Sequence, residues 1–256
     1  MENLFSVEGK KVLVTGASKG IGYAIAKGFL EAGAEVALAA RNAHDLQVAK
    51  STLEHIAKGR VIQVVVDVRK PDQVQDAVKT VADSFGRIDV LINNAGVNVR
   101  VPAEKVSEED WDTVVDTDLK GAFFMAQTVG QLMLHQGMGS IVNIASIGGH
   151  VALRTGVAYA SAKAGVLHMT RVLAVEWASR GVRVNAIGPW YFRTPLTAKL
   201  LDDPAYLNDI LVRTPMKRVG EVEELVGPAI FLASDASSYM TGQALFVDGG
   251  MGVYGF

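Results

Sequence analysis

Short aliphatic runs alternate with stretches of helical period along the whole 256-residue chain. The runs "KVLVTG", "EVALAA", "VIQVVVDV", "IDVLINNAG", "SIVNIAS", "VRVNAIG" and "ALFVDGG" are almost continuous in apolar residues rather than alternating. That pattern suits strands covered on both faces, as in a parallel sheet. Between them the period predicts helices over Ile21 to Ala32, Ala43 to Ala57, Pro71 to Phe85, Gly156 to Arg180 and Glu221 to Ala233. A longer helical region is predicted from Ser107, with acids behind it, to about Gln136. Pro71 suits a first helical turn, where its missing N–H costs nothing. Strand–helix alternation from end to end, with no low-complexity linker and no internal repeat, implies one α/β domain over residues 1–256. Its expected core is a doubly wound parallel sheet of about seven strands.

Two features break the regular pattern. The segment 190–220 holds Pro195, Pro204 and Pro215 and has no single period. A long insertion of this kind is either a lid over a site or a surface excursion. The predicted helical stretches Trp111 to Gln136 and Gly156 to Arg180 are apolar on most of their circumference. Helices like that are covered all round, which implies a second subunit and a homo-oligomer.

Composition narrows the partners. The net charge is -2, so bulk electrostatics favours neither nucleic acid nor an anionic membrane. The chain has no Cys, which removes disulfides, thiolate nucleophiles and Cys-based metal sites. No apolar stretch reaches the ~18 residues that span a bilayer, and "MENLFSVEGKK" does not resemble a secretory leader. A soluble cytoplasmic protein with a small-molecule substrate and no metal is expected.

The loop "VTGASKGIGYAIA" joins the first predicted strand to the first helix. Gly16, Gly20 and Gly22 let the backbone turn tightly and approach a pyrophosphate. Ser18, Lys19 and Ile21 lie between them, and the helix N-terminus supplies N–H groups. On the first strand–turn–helix of a doubly wound sheet this points to a dinucleotide. An acid at the end of the second strand would bind the ribose 2′-OH of NAD. The strand ends "LAARN" instead, with Ala40 where the acid would stand and Arg41 next. Lys19 and Arg41 suit a 2′-phosphate, so NADP(H) is expected over NAD(H), unless both cations are only solvated surface charges. Asp67 and Val68 are candidates to frame the adenine. Asn94, Ala95 and Gly96 are candidates to lie along the adenosine ribose.

In "AYASAKAG", Tyr159 and Lys163 share one helical face among small residues. A free phenol titrates near about 10 and is a poor base at neutral pH. A neighbouring ammonium favours its phenolate, which turns it into a usable proton donor and acceptor. Ser146, at the end of the fifth predicted strand, is a candidate to hold the oxygen on which charge develops.

With "TGASKGIG", "NNAG", Ser146 with "YASAK" and the terminal "VDGG", the chain resembles the short-chain dehydrogenase/reductase family over essentially its whole length. The resemblance implies a Rossmann-type fold and a nicotinamide-dependent alcohol/ketone oxidoreductase, usually a homotetramer, with no metal in the chemistry. It assigns the general acid/base role to Tyr159, support to Lys163 and substrate-oxygen binding to Ser146. It assigns cofactor contact to Asn94 and to the stretch Ile187 to Thr194, with Pro189, Trp190, Phe192 and Thr194. Two positions depart from the family pattern. In "VVDTDLKG", Asp118 stands where the family usually has a catalytic Asn; it either pairs with Lys163, directly or through water, or is turned away or protonated, with only its backbone carbonyl in use. In "GPWYF", Trp190 stands where Gly is usual, either as a pocket wall beside the nicotinamide or as core packing.

The stretches "NNAGVNVRVP", "YFRTPL", "RTPMKRVGEVEELVG" and "LFSVEGK" resemble the gluconate 5-dehydrogenase branch, so a sugar acid or polyol is the expected substrate. Arg100, His150 and Arg154 are candidates to meet its carboxylate or hydroxyls. The alternatives are a 3-oxoacyl-carrier-protein reductase or general carbonyl reductase, with Lys199, Arg213, Lys217 and Arg218 as a basic landing surface, and a cofactor-binding regulator without chemistry.

Overall fold

The computed structural model describes residues 3–57, 59–154 and 156–254. Seven strands form one parallel sheet: β1 Lys11–Thr15, β2 Glu35–Ala40, β3 Val61–Val65, β4 Val90–Asn93, β5 Gly139–Ile144, β6 Val182–Pro189 and β7 Ala244–Val247. They lie in the order β3-β2-β1-β4-β5-β6-β7. The chain winds outward from β1 to β3, then returns to lay β4 on the other side of β1. That reversal leaves a crevice above the carboxyl ends of β1 and β4, where ligands bind in open α/β sheets.

The helices are α1 Gly20–Glu31, α2 Ala43–Glu54, α3 Pro71–Phe85, α4 Glu108–Val115, α5 Ala122–Gln136, α6 Val157–Trp177, α7 Ala198–Leu201, α8 Pro204–Arg213 and α9 Val226–Ala233. They cover both faces of the sheet. In β1 the alternation is direct: Val12 and Val14 pack with Ile25, Phe29 and Leu232 on one face, while Leu13 packs with Val78, Met125 and Trp177 on the other. Double coverage is why the strands read as continuous apolar runs.

Local chemistry sets the helix ends. Asn42 opens α2 by accepting from the Asp45 N–H at 2.9 Å. Pro71 stands in the first turn of α3, and Gly86, at φ +78°, ends that helix in the left-handed region. Ser107 and Asp110 form a reciprocal capping box at the start of α4.

Three differences from the sequence expectation matter. The region from Ser107 to Gln136 is not one helix: residues Asp116–Gly121 form a π-helical turn between α4 and α5. Gly121 is needed there, since a Cβ would lie 2.8 Å from Val68 Cγ2 and 2.9 Å from the Val68 carbonyl oxygen. The region before Ala233 starts as a 3-10 turn, Val222–Leu225, and becomes α-helical only at α9. Finally, α6 is not covered all round within one chain; Val172 is exposed and Val175 is 83 % exposed.

The segment 190–220 folds back on itself. It carries α7 and α8 and closes through a β-bridge between Phe192 and Gly220. Asp203 caps α8 by accepting from the Ala205 N–H at 2.9 Å, with Pro204 in the first turn. Among the described residues no helix is long and apolar enough to cross a membrane, and no group of three or more His, Asp or Glu side chains is placed to hold a metal.

Candidate active site

A cavity of about 500 Å³ occupies the crevice at the reversal point. One end is the glycine loop. Gly16 and Gly20 adopt φ +65° and +61°, and a Cβ on Gly16 would lie 2.8 Å from the Asn94 amide nitrogen. Ser18, Lys19, Gly20 and Ile21 share that wall with Arg41 and with Val68. Asn94 ties the loop down: its amide donates to the Thr15 carbonyl at 2.9 Å, and the Thr15 hydroxyl accepts from the Asn94 and Ala95 N–H groups at 2.9 Å. The side chain expected along a ribose is thus spent on shaping the loop, while Asn94, Ala95 and Gly96 all line the cavity. A glycine cradle that no side chain can enter, opening onto a helix N-terminus, fits a dinucleotide.

Two expected cofactor residues are off the wall. Gly22 lies behind the loop, where a Cβ would meet the Gly16 carbonyl oxygen at 2.4 Å, so it serves close packing rather than contact. The Asp67 carboxylate is gripped by the Arg69 guanidinium, with bonds of 2.6, 3.0 and 3.1 Å. Those bonds hold its carboxyl below the usual carboxylate range. Val66 and Val68, one residue to either side, do face the cavity. The wall also carries an acid the sequence reading missed: Asp45, from the first turn of α2, lies 3.9 Å from the Lys19 ammonium.

The other end holds the polar cluster. Ser146 follows β5, and its hydroxyl accepts from the Gly148 N–H at 3.0 Å. Tyr159 and Lys163 project from α6, with the ammonium 5.6 Å from the centre of the phenol ring. Gly149 lets this turn lie on α6, since a Cβ there would come within 2.6 Å of the Lys163 carbonyl carbon. Lys163 Nζ donates to the Ile144 carbonyl at 3.0 Å.

The π-helical turn brings Asp118 to the same place. Asp118 Oδ1 accepts from the Val97 N–H at 2.7 Å, and Oδ2 lies 3.1 Å from Lys163 Nζ. Oδ2 is aligned for charge attraction more than for a hydrogen bond and has no hydrogen-bond partner among the described residues. A Cβ on Gly96 would lie 2.9 Å from Oδ2, so the pair also explains that glycine. The side chains of Lys163 and Asp118 are only 5 % and 0 % exposed. Burial pushes the Asp118 carboxyl up from its ordinary value, opposed by the Lys163 charge. Burial also works against the Lys163 ammonium, but Asp118 and Tyr159 outweigh it and hold the group above the ordinary lysine range. Of the two sequence readings of Asp118, the structure has the paired one.

Pro189, Trp190, Phe192 and Thr194 line the cavity. Trp190 is anchored by its ring N–H, which donates to the Thr214 hydroxyl at 3.1 Å, and it packs edge-on against Tyr191 at 4.6 Å. Of the expected substrate cations, Arg100 lines the cavity. His150 does not: its ring packs 4.8 Å from Phe246, on the β7 side. Arg154 is turned outward to Asp209 of α8 at 2.8 Å and lines only the neighbouring recess. Val97, Asn98, Thr117 and Leu153 also line the cavity and were not singled out, and Tyr191, inside the expected stretch Ile187 to Thr194 but not named in it, lines it too. Tyr191, next to Trp190 in "GPWYF", carried the one readable signal, a second polar aromatic at the mouth of the insertion.

Comparison with known proteins agrees along the whole chain. The family described as enoyl-(acyl carrier protein) reductase matches residues 16–252. Gluconate 5-dehydrogenase of Gluconobacter oxydans (strain 621H) is 44% identical over 253 residues, covering 98% of each chain. The 3-oxoacyl-acyl-carrier-protein reductase of Thermotoga maritima is 40% identical over 251 residues, 96% of this chain and 98% of that one. Among solved structures, a gluconate 5-dehydrogenase from Burkholderia cenocepacia J2315, in complex with NADP and tartrate, superposes with a TM-score of 0.94. It is 37% identical, with 98% of each chain covered.

Proposed function

We propose, from the premise that this chain belongs to the short-chain dehydrogenase/reductase family, that Tyr159 is the acid/base of its reaction and NADP(H) its preferred cofactor. The chain is an oxidoreductase that interconverts an alcohol and a ketone with a nicotinamide cofactor. The nicotinamide supplies the hydride for reduction or accepts it in oxidation.

One observation carries the mechanism: Ser146, Tyr159, Lys163 and Asp118 lie on the wall of the same cavity as the glycine loop. In reduction, the Ser146 hydroxyl donates to the substrate oxygen as negative charge grows there, and the Tyr159 hydroxyl delivers the proton. In oxidation, Tyr159 takes the proton back, with the ammonium of Lys163 5.6 Å from the centre of its ring. Lys163 is held by the Ile144 carbonyl and by Asp118, so its charge stays fixed beside the ring.

The cofactor preference is supported by Arg41 and Lys19 on the wall and by Ala40 at the end of β2. Asp45 beside Lys19 takes up part of that charge, which leaves Arg41 as the main phosphate partner. The substrate reading is a sugar acid or polyol of the gluconate/5-ketogluconate type. It rests on the likeness to gluconate 5-dehydrogenases and on Arg100 at the wall. The segment 190–220 serves as the substrate lid, and the exposed valines of α6 support a second subunit against that helix, in keeping with the homotetramer expected of the family.

The likeness to the Thermotoga enzyme favours a second reading, reduction of 3-oxoacyl thioesters. Its basic landing surface is weakened, because Lys217 donates to the Val212 carbonyl and Arg218 is paired with Glu224. Assays of sugar acids, polyols and 3-oxoacyl thioesters with both nicotinamides separate the two. Highest kcat/KM for a sugar acid or its keto form with NADP(H) is expected; activity confined to thioesters would replace the reading with the second.

A further inference from the structure

A second recess, about 330 Å³, adjoins the active-site cavity and shares Arg100, Leu153, Trp190 and Tyr191 with it. Its outer wall is α8, through Tyr206, Asp209, Ile210 and Arg213. The chemistry of this wall is uneven. Three guanidiniums, of Arg100, Arg154 and Arg213, face a single carboxylate, that of Asp209. Asp209 is already committed, because Arg154 donates to it at 2.8 Å while lying 5.7 Å over the Tyr206 ring. Among the described residues, neither Arg100 nor Arg213 has a carboxylate within ion-pair distance. The recess therefore keeps two uncompensated guanidiniums.

The hydroxyls are also arranged for recognition. Tyr191 and Tyr206 meet oxygen to oxygen at 2.6 Å, and Arg100 acts on the Tyr191 side of the pair. Burial first, then the bond to Tyr206, pushes the Tyr191 phenol far up, so it stays protonated and can give or share a hydrogen bond. Leu153, Ile210 and Trp190 form the apolar remainder. A planar guanidinium with no carboxylate partner, beside an opening and next to phenols, matches a carboxylate with hydroxyls near it.

We propose that this recess is the anion seat of the substrate, in which Arg100 and Arg213 bind the carboxylate of a polyhydroxy acid and the Tyr191–Tyr206 pair meets its neighbouring hydroxyls. The seat rests on the sugar-acid reading and deepens it: the reacting carbon stays at Tyr159, and the charged end extends under α8. Because α8 belongs to the insertion, the same contact links closure of the insertion to the presence of the acid.

The test is calorimetric titration of the NADPH-saturated protein, which cannot oxidise an alcohol, with gluconate and with glucitol, its neutral counterpart. The wild type is expected to bind gluconate more tightly. Arg100→Met and Arg213→Met should each lower the gluconate-to-glucitol ratio of affinities by roughly ten- to a hundredfold, the range for a hydrogen bond to a charged group. Arg218→Met, whose cation is paired with Glu224 outside the recess, should leave the ratio where it was. A wild-type protein with no preference for gluconate overturns the seat, and so does an unchanged ratio in both recess variants. If glucitol or gluconate is still oxidised in that case, the enzymatic reading stands without the seat. A protein that binds neither compound and reduces only 3-oxoacyl thioesters overturns the sugar-acid reading and the seat together.

Discussion

The floor of the cavity and the segment above it are held by opposite means. On the floor, Lys163 and Asp118 pair in almost complete burial, and each is also fixed to backbone, at Ile144 and Val97. In the insertion, the pair that joins α8 to the loop before α6, Arg154 with Asp209, is 60 % and 51 % exposed. A buried charge without a partner is costly, so the floor has one arrangement and keeps it. An exposed pair competes with water and contributes little to holding α8 in place. The catalytic cluster proposed above thus stands on the more tightly fixed region, and the proposed lid on the less tightly fixed one.

The sharpest way to break that contrast is to strike the floor. Tyr159→Phe is expected to fold and to bind NADPH, but to lose at least the ~10²–10⁴-fold that general acid–base catalysis supplies. Near-normal kcat in steady-state assays would remove Tyr159 from the mechanism. Lys163→Ala should be severely impaired as well. The variant removes the ammonium that lies 5.6 Å from the centre of the Tyr159 ring.

The cofactor end lies between rigid and exposed. Arg41→Ala should lower the NADPH-to-NADH ratio of kcat/KM by roughly ten- to a hundredfold, the scale of one charged hydrogen bond. An unmoved ratio would show that Arg41 is only a solvated cation.

Trp190→Ala tests the seam between the two regions, since Trp190 lines both the cavity and the recess under α8. The ranking of substrates by size should change more than the melting temperature. A large drop in Tm with the ranking intact would make Trp190 a packing residue.

The smallest effect on rate, and the most informative, is expected of Asp118→Asn. The amide oxygen can still accept from Val97, so kcat should be kept or raised, while the buried ammonium loses its counter-charge and Tm falls somewhat. The sign of the pH effect follows from Lys163. Its ammonium is held above the ordinary range by Asp118 against burial, so without the carboxylate it gives up its proton at lower pH. Loss of that proton moves the alkaline limb of the oxidation profile to lower pH. A collapse of kcat with cofactor binding intact would make the carboxylate itself a working part of the site.

Much of this molecule is legible one segment at a time. The nearly continuous apolar runs located all seven strands, because coverage on two faces leaves few polar positions inside a strand. Gly16, Lys19 and Gly20 could be assigned to one loop, and Arg41 to the turn after β2, because a βα turn is local. Tyr159 and Lys163 could be paired because a helix sets four-residue neighbours on one face whatever surrounds it.

The rest depended on partners distant in sequence. Whether Asp118 met Lys163 turned on a π-helical turn that no periodicity announces, seated against Val68. Arg154 and His150 both stand in the loop that leads to Tyr159, yet Asp209 draws one outward and Phe246 stacks with the other. Asp67 sits at the end of its strand as expected, but Arg69 takes its carboxylate. The recess under α8 exists only once the insertion folds back across the sheet edge. Periodicity is a property of the backbone and can be read from the chain; the direction of a charged side chain is set by whichever opposite charge the folded structure brings within reach.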